Sequence, residues 1–385
     1  MTRRLRRGIV AITICLLMFV AACGDDDGSG TGATAADTEE GAVGDAAQAA
    51  QERADPFLQP AASIGIDEPL EGEVPQGVSV YWLEGNIQSI LPITTGFEDA
   101  TDAIGWDLTT ITYDPADPQG PSAAMRQAVD GGTDYIAVSG QNIEIFGEAL
   151  DAAKSAGIPV IDLYSTDEVG GEANGIYANI GSSAYSEASF PILVDYVIAD
   201  SGGDAQVLFV NIPDFTILQI AADATNGQFE SECPDCEVVP LDVTINDLTS
   251  GAVASQVVSA LQSNPNIDYV FTSIGDLATG LPEALAGAGL SEQAQIVTHV
   301  PNPEQLQAVA DGEIVAAIPL PRPESAWAAV DAMARLELGM EIDQESHELL
   351  PIEIWTPDNV PTPIEEYQGP KGYQDQFTQL WGVSG

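Results

Sequence analysis

From Gly77 onward the chain alternates short apolar runs with helical stretches, and it then does so a second time. Residues 78–83 read as a strand, 91–103 as a helix and 107–113 as a strand. A helix at 122–129, a strand at 134–139, a helix at 143–156 and a strand at 159–164 follow. Gly157 sits where a helix closes on a left-handed residue. The second run has strands at 205–210, 238–243, 268–272 and 295–300, with helices at 218–229 and 252–262 and another ending near 288. Strands separated by helices of about 10–14 residues are βαβ units, which build parallel sheets. The runs echo each other: Thr133-Asp134-Tyr135 parallels Ile267-Asp268-Tyr269 at an offset of 134, and Gly157 parallels Gly289 at 132. Repetition at that distance means two similar Rossmann-like α/β lobes rather than a short-repeat solenoid. Two such lobes imply a cleft between them.

The segment before these lobes is of another kind. Arg3, Arg4, Arg6 and Arg7 precede an apolar run at 9–20, followed by Val20-Ala21-Ala22-Cys23. A basic start, an apolar stretch too short to span a bilayer and small residues before a cut site describe a secretory signal. The cysteine after the small residues resembles the bacterial lipobox, in which the sulfur is lipidated and becomes the new N-terminus. The resemblance implies a signal peptide at 1–22 and a lipid anchor at Cys23, on the extracytoplasmic face of the membrane. A plain cleaved signal with Cys23 incidental is the alternative. Residues 23–75 are rich in Gly, Ala, Asp, Thr and Glu and are expected to be a disordered acidic tether.

Composition narrows the partners. Loss of the signal removes four arginines and no acids, so the formal charge moves from −50 to −54. So acidic a chain is not expected to bind nucleic acid. Once Cys15 and Cys23 are set aside, Cys233 and Cys236 remain, and in an oxidising compartment Cys-Pro-Asp-Cys reads as a local disulfide. A zinc site would need further ligands from His299 and His347. A redox-active pair would need a nearby base to lower a thiol pKa. No metal or other cofactor is expected.

Met125-Arg126-Gln127-Ala128-Val129-Asp130-Gly131-Gly132 with the strand at 134–139, the run 149–161 containing Lys154-Ser155-Ala156-Gly157-Ile158-Pro159, and Asp311-Gly312-Glu313-Ile314 form an ordered set of motifs. Together they resemble type I periplasmic binding proteins of the ribose type. The resemblance spans about 77–357 and implies three crossings between lobes, near Asn179, near 319–323 and near 342–348. It assigns 76–180 with 322–346 to the N-terminal lobe, and 181–321 with 347–385 to the C-terminal lobe and tail. It further implies capture of a small molecule by hinge closure, delivery to the permease subunits of an ABC importer, and no catalysis. A monomer is expected. The terminal helix near 373–380 is expected to dock on the second lobe.

Ligands of open α/β sheets sit outside the carboxyl ends of the strands. This rule selects Glu84, Asn86 and Gln88 after the first strand, Gln141 and Asn142 after the third, and Tyr164 and Ser165 after the fourth. In the second lobe it selects Phe215, Asp276 and His299. Alignment with the family adds Thr225, which stands where ribose-type binders carry an arginine, and Arg322 is the one cation expected to reach the cleft. Tyr164-Ser165 replaces the family's Asp-Arg pair and Pro319 its hinge glutamine. The ligand expected is therefore neutral, by family default a sugar or polyol. A small aromatic or amine-bearing solute, or presentation of the ligand to a membrane receptor, is the alternative. Tyr81 and Trp82 are read as lobe packing. No nucleophile elbow or metalloprotease motif is present in the sequence.

Overall fold

The computed structural model describes residues 35–86, 90–114, 117–140, 142–166 and 168–383. The signal peptide, Cys23, Gln88 and Gln141 lie outside the described residues. The first described element is a helix, α1 (Ala35–Ala54), and the first lobe begins after it. That lobe is built from β1 (Ser79–Gly85), α2 (Leu91–Ile104), β2 (Asp107–Tyr113), α3 (Gly120–Gly131), β3 (Tyr135–Ser139), α4 (Glu148–Ala156), β4 (Val160–Leu163) and β5 (Ile176–Ile180). Its five strands are parallel in the order β2-β1-β3-β4-β5. β3 and β4 are buried at every position, as strands covered by helices on both faces must be. Trp82 packs on Phe97 of α2, at 4.9 Å between ring centroids, within the lobe core.

The chain then enters the second lobe through α5 (Ser183–Asp200). There follow β6 (Gln206–Asn211), α6 (Thr216–Glu232), β7 (Glu237–Asp242), α7 (Ile245–Ser250), α8 (Val253–Ser263), β8 (Tyr269–Thr272), α9 (Leu281–Ala288), β9 (Gln295–His299), α10 (Pro303–Ala310) and β10 (Ala316–Ile318). The sheet order is β10-β9-β8-β6-β7, again parallel throughout. The internal echo is structural: Gly157 and Gly289 end α4 and α9 at φ 71° and 72°, where a side chain would be strained. Cys233 and Cys236 form a disulfide beside the end of α6.

The chain returns to the first lobe through α11 (Arg322–Glu337), whose residues 322–335 are buried throughout. It crosses again after α12 (Gln344–Glu348), and Trp355 bridges Ala317 antiparallel at the edge of the second sheet. The sequence reading missed α5 and β5. Pro191 within α5 and its nearly unbroken apolar run hide the helical period there.

Two expectations are corrected. The stretch 23–75 is not a disordered tether over its described part. Ala50 and Ala54 of α1 are buried in the second-lobe core with α5, and Ile64, Ile66 and Val74 are buried in the first. Small alanines let α1 approach α5 closely, and Arg53 then reaches Asp195 with two hydrogen bonds, 2.9 Å from Nε and 2.7 Å from a terminal nitrogen. The tail helix does not dock on the second lobe either. α13 (Tyr373–Trp381) lies in the first-lobe core, where Trp381 stacks on Trp327 of α11 at 5.2 Å. The preceding stretch does lie on the second lobe, through Trp355, Val360 and Tyr367. The two terminal segments run together across the hinge: Ile354 N–H donates to Phe57 O, Ile64 N–H to Gln376 Oε1 and Leu70 N–H to Leu380 O.

Candidate functional site

In each parallel sheet the carboxyl ends of the strands share one edge, and the loops leaving those edges meet at the crossings. A cavity of about 570 Å³ lies there, of the size small-molecule sites have. The first lobe contributes Leu91 and Pro92 at the start of α2. The second contributes Asp276 and Thr279 after β8, and Asn302 through Gln305 after β9. Arg322, from the second crossing, and Glu366, from the tail, complete the lining.

The second-lobe wall is held by its own hydrogen bonds. Asn302 caps α10 reciprocally with Gln305, and its amide donates to Asp276 Oδ1 at 3.2 Å. Gln305 Nε2 donates to Thr279 Oγ1 at 3.3 Å. Amides, a hydroxyl and carboxylates can accept and donate to ligand hydroxyls. Arg322 donates to Glu366 Oε1 at 2.6 Å, so the guanidinium in this lining meets a carboxylate of the protein itself.

A matching pair of backbone positions frames the hinge. Tyr164 follows β4 and Val300 follows β9, the equivalent strand, and both are left-handed, at φ 58° and 50°. Each N–H donates at 2.8 Å to the end of the next strand, Ile180 O and Ile318 O respectively. For a β-branched valine this conformation costs about 1–3 kcal/mol, held by the surrounding ladder. Such local strain at both carboxyl edges is a feature of functional loops. The Tyr164 ring lies against Gly181 at the first crossing, where a Cβ would come within 2.8 Å of it. Burial raises its hydroxyl pKa.

The twelve ligand candidates from the sequence separate into groups. Asp276 and Arg322 line the cavity. Asn86, Asn142 and Phe215 are exposed on the loops at the same edges, Phe215 with 44 % of its surface free. Tyr164 is half-buried at the hinge. Glu84 and Ser165 are buried and engaged within the first lobe. Glu84 accepts from Thr94 at 2.6 Å and Thr112 at 3.1 Å, and Ser165 donates to Asp162 at 2.6 Å. Thr225 and His299 are placed away from the cavity. Thr225 is fully buried in α6 with its hydroxyl on Ala221 O. His299 stacks on Phe190 at 4.2 Å and meets Ser189 Oγ at 2.8 Å beneath α5. Burial lowers its pKa to about 3, so the ring is neutral. His299 is the last residue of β9, and its side chain is directed into the core rather than to the edge. Gln88 and Gln141 lie outside the described residues.

Sequence reasoning missed Glu366, Leu91, Thr279 and Gln305. Three of these stand one loop or one helical turn beyond the strand ends that the rule selects. Glu366 had no signal at all, since nothing in the tail's sequence says that it returns to the cleft. Tyr81 and Trp82 pack within the lobe, Trp82 fully buried and the Tyr81 hydroxyl against Gly131.

Two parallel-sheet lobes, joined by repeated crossings and opening a polar cavity between their carboxyl edges, define a two-lobed solute-binding protein. The chain belongs to the periplasmic binding protein domain family, whose model matches residues 78–341. Its members capture and do not catalyse. A periplasmic ribose ABC transporter protein from Conexibacter woesei is similar at 23 % identity, with a TM-score of 0.63 over 74 % of this chain and 94 % of that one. A glucose-galactose binding protein from Geobacillus stearothermophilus is 16 % identical, with a TM-score of 0.63 over 74 % of this chain and 100 % of that one. A 5-methylthioribose transporter solute-binding protein from Thermotoga lettingae, also 16 % identical with a TM-score of 0.63, covers 82 % of this chain and 95 % of itself. These likenesses establish the fold. No curated protein sequence matches the chain.

Proposed function

We propose that this extracytoplasmic protein captures a neutral sugar or polyol between its lobes and presents it to an ABC importer. The observation that carries the reading is the cavity lining: amides, a hydroxyl and carboxylates surround a guanidinium already matched by Glu366. Such a lining offers many hydrogen bonds and little net positive charge, which suits hydroxyl groups better than phosphates or carboxylates. The similar structures are named for ribose, glucose-galactose and 5-methylthioribose, which favours the same class. Leu91 and Pro92 add apolar surface at the first-lobe wall, against which the CH face of a sugar can pack. The lipobox-like run ending at Cys23 supports a membrane anchor, and the soluble part acts as a monomer.

The test is a thermal-shift screen of the protein from residue 35 onward, against sugars, polyols, nucleosides, aromatic acids and amines. A ligand that binds only the folded protein at about 100 times its Kd stabilises it by about 2.7 kcal/mol. Shifts confined to sugars or polyols are expected. Shifts only with amines would replace this reading with one in which Asp276 and Glu304 recognise a cation, and shifts only with aromatic solutes with one in which a ring packs on Leu91.

A further inference from the structure

We propose that Glu366, contributed by the tail beyond the family-matched region, sets the ligand class of the cleft by occupying the place of an anion. The proposal rests on the reading of the cavity as a sugar or polyol site.

Arg322 begins α11 with its side chain only 7 % exposed, and it is the cation among the cavity-lining residues. A guanidinium at a helix start is the combination that ordinarily receives a carboxylate or phosphate. Here the Glu366 carboxylate, 20 % exposed, holds it at 2.6 Å. Glu366 is not a wandering side chain. Tyr367 is buried in the second-lobe core, with its hydroxyl on Glu353 at 2.8 Å and its ring edge-on to Trp355. Gln368 O accepts the Glu324 N–H at 3.1 Å, at the start of α11. The tail is therefore pinned to both lobes just after Glu366, while Val360 and Ile364 pack on the second-lobe core before it, so the carboxylate is delivered to the cleft between fixed points. An anionic ligand would have to displace it or meet its charge, along with those of Asp276 and Glu304. A neutral polyol meets no such penalty.

The experiment titrates D-galacturonate, D-galactose, D-ribose and myo-inositol by calorimetry into the unaltered protein, Glu366→Gln and the double variant Arg322→Gln/Glu366→Gln. Glu366→Gln should bind D-galacturonate at least about tenfold more tightly than the unaltered protein. The double variant should lose that gain. Equal D-galacturonate affinity in the unaltered protein and Glu366→Gln overturns the proposal, as does a gain that persists without Arg322. If none of the neutral compounds binds the unaltered protein, the sugar reading fails on its own, while the galacturonate comparison still judges Glu366. Should Glu366→Gln not fold, Glu366→Asp decides the matter in its place. It keeps the charge but withdraws it by one methylene, so a gain of about threefold is expected and an unchanged affinity overturns the proposal.

Discussion

Glu324 is the residue whose chemistry fits its surroundings least. It stands in the first turn of α11, fully buried, and neither carboxylate oxygen has a hydrogen-bond partner among the described residues. Burial pushes its pKa well above the ordinary carboxylate range. A group whose pKa is raised by folding contributes fully below its unfolded value of about 4.3, and that contribution falls as pH rises through the folded value. Glu324→Gln keeps the shape and cannot ionise. It should raise stability by about 1–3 kcal/mol at pH 8 and change little at pH 4. Calorimetric melting at both pH values checks this, and an equal change at both would mean that the carboxyl does not titrate in that window. Asp331, two turns along the same helix, behaves oppositely. Burial alone would raise its pKa, but the His347 hydrogen bond and the charges of His347 and Arg335 outweigh burial and hold it low. Its oxygens also take Arg335 Nε at 2.7 Å and Trp381 Nε1 at 2.8 Å, so it joins α11, α12 and α13. Its contribution is present above an unfolded pKa of about 3.9 and is lost as pH falls through the lower folded value. Asp331→Asn should cost about 3–5 kcal/mol at pH 7 and distinctly less near pH 3. Urea unfolding at the two pH values reads the difference.

Among elements, the two terminal helices mark where the sequence stops being legible. The βα alternation was readable because period and punctuation agree there: Gly157 and Gly289 close α4 and α9 where the pattern places them. α1 was hidden by averaging. A Gly-Asp-Thr-rich stretch of about fifty residues dilutes the alanine-rich end that packs on α5. α13 was visible as an aromatic cluster, but an apolar face says that it is buried and not which lobe buries it. The deciding partner is Trp327, distant in sequence. The same limit applies to the site: a strand-end rule finds Asp276, and places His299 at the same edge although its ring faces the core. Local pattern gives position along an element, whereas tertiary packing decides direction. α1 itself can be tested as an element. Arg53 joins it to Asp195, whose side chain is 4 % exposed, and to Glu232 at 2.9 Å. Arg53→Ala removes both guanidinium donors from the Asp195 carboxylate and leaves it the Gln228 amide at 2.8 Å. The loss should be about 1–3 kcal/mol. Hydrogen exchange should show protection falling across 44–54 while β6 and β8 keep theirs, and unchanged protection of α1 would mean that the alanine contacts hold it alone.

For the whole molecule, the distribution of charge is as informative as its sum. The chain carries 60 acids, 10 lysines and arginines and two histidines. Among the described residues, the ion pairs are made by Arg53, Arg322, Arg335 and His347, and each joins parts that are separate in sequence or in structure. Arg53 ties the N-terminal helix to α5, Arg322 ties the second crossing to the tail, and Arg335 ties α11 to the segment before β1 through Glu68. Arg53, Arg322 and Arg335 thus sit at joints, whereas Arg126, Lys154 and Lys371 are exposed, and most surface acids face solvent and one another. These two populations respond differently to salt. At the joints the Arg322–Glu366 pair and the Arg335 guanidinium are mostly buried and shielded from mobile ions, whereas repulsion among exposed acids is screened over about 10 Å at 0.1 M and about 3 Å at 1 M. Screening should therefore remove more repulsion than attraction, and the protein should gain stability as salt rises. Raising NaCl from about 0.05 M to about 1 M should add about 2 kcal/mol and lift the melting midpoint by about 3 °C. A neutral osmolyte at matched osmolality separates screening from solvent exclusion. If NaCl does no more than the osmolyte, self-repulsion is not a term in the folding of this chain. If it does more, a strongly acidic surface is stabilised by saline surroundings while Arg53, Arg322 and Arg335 hold the hinge and both termini together.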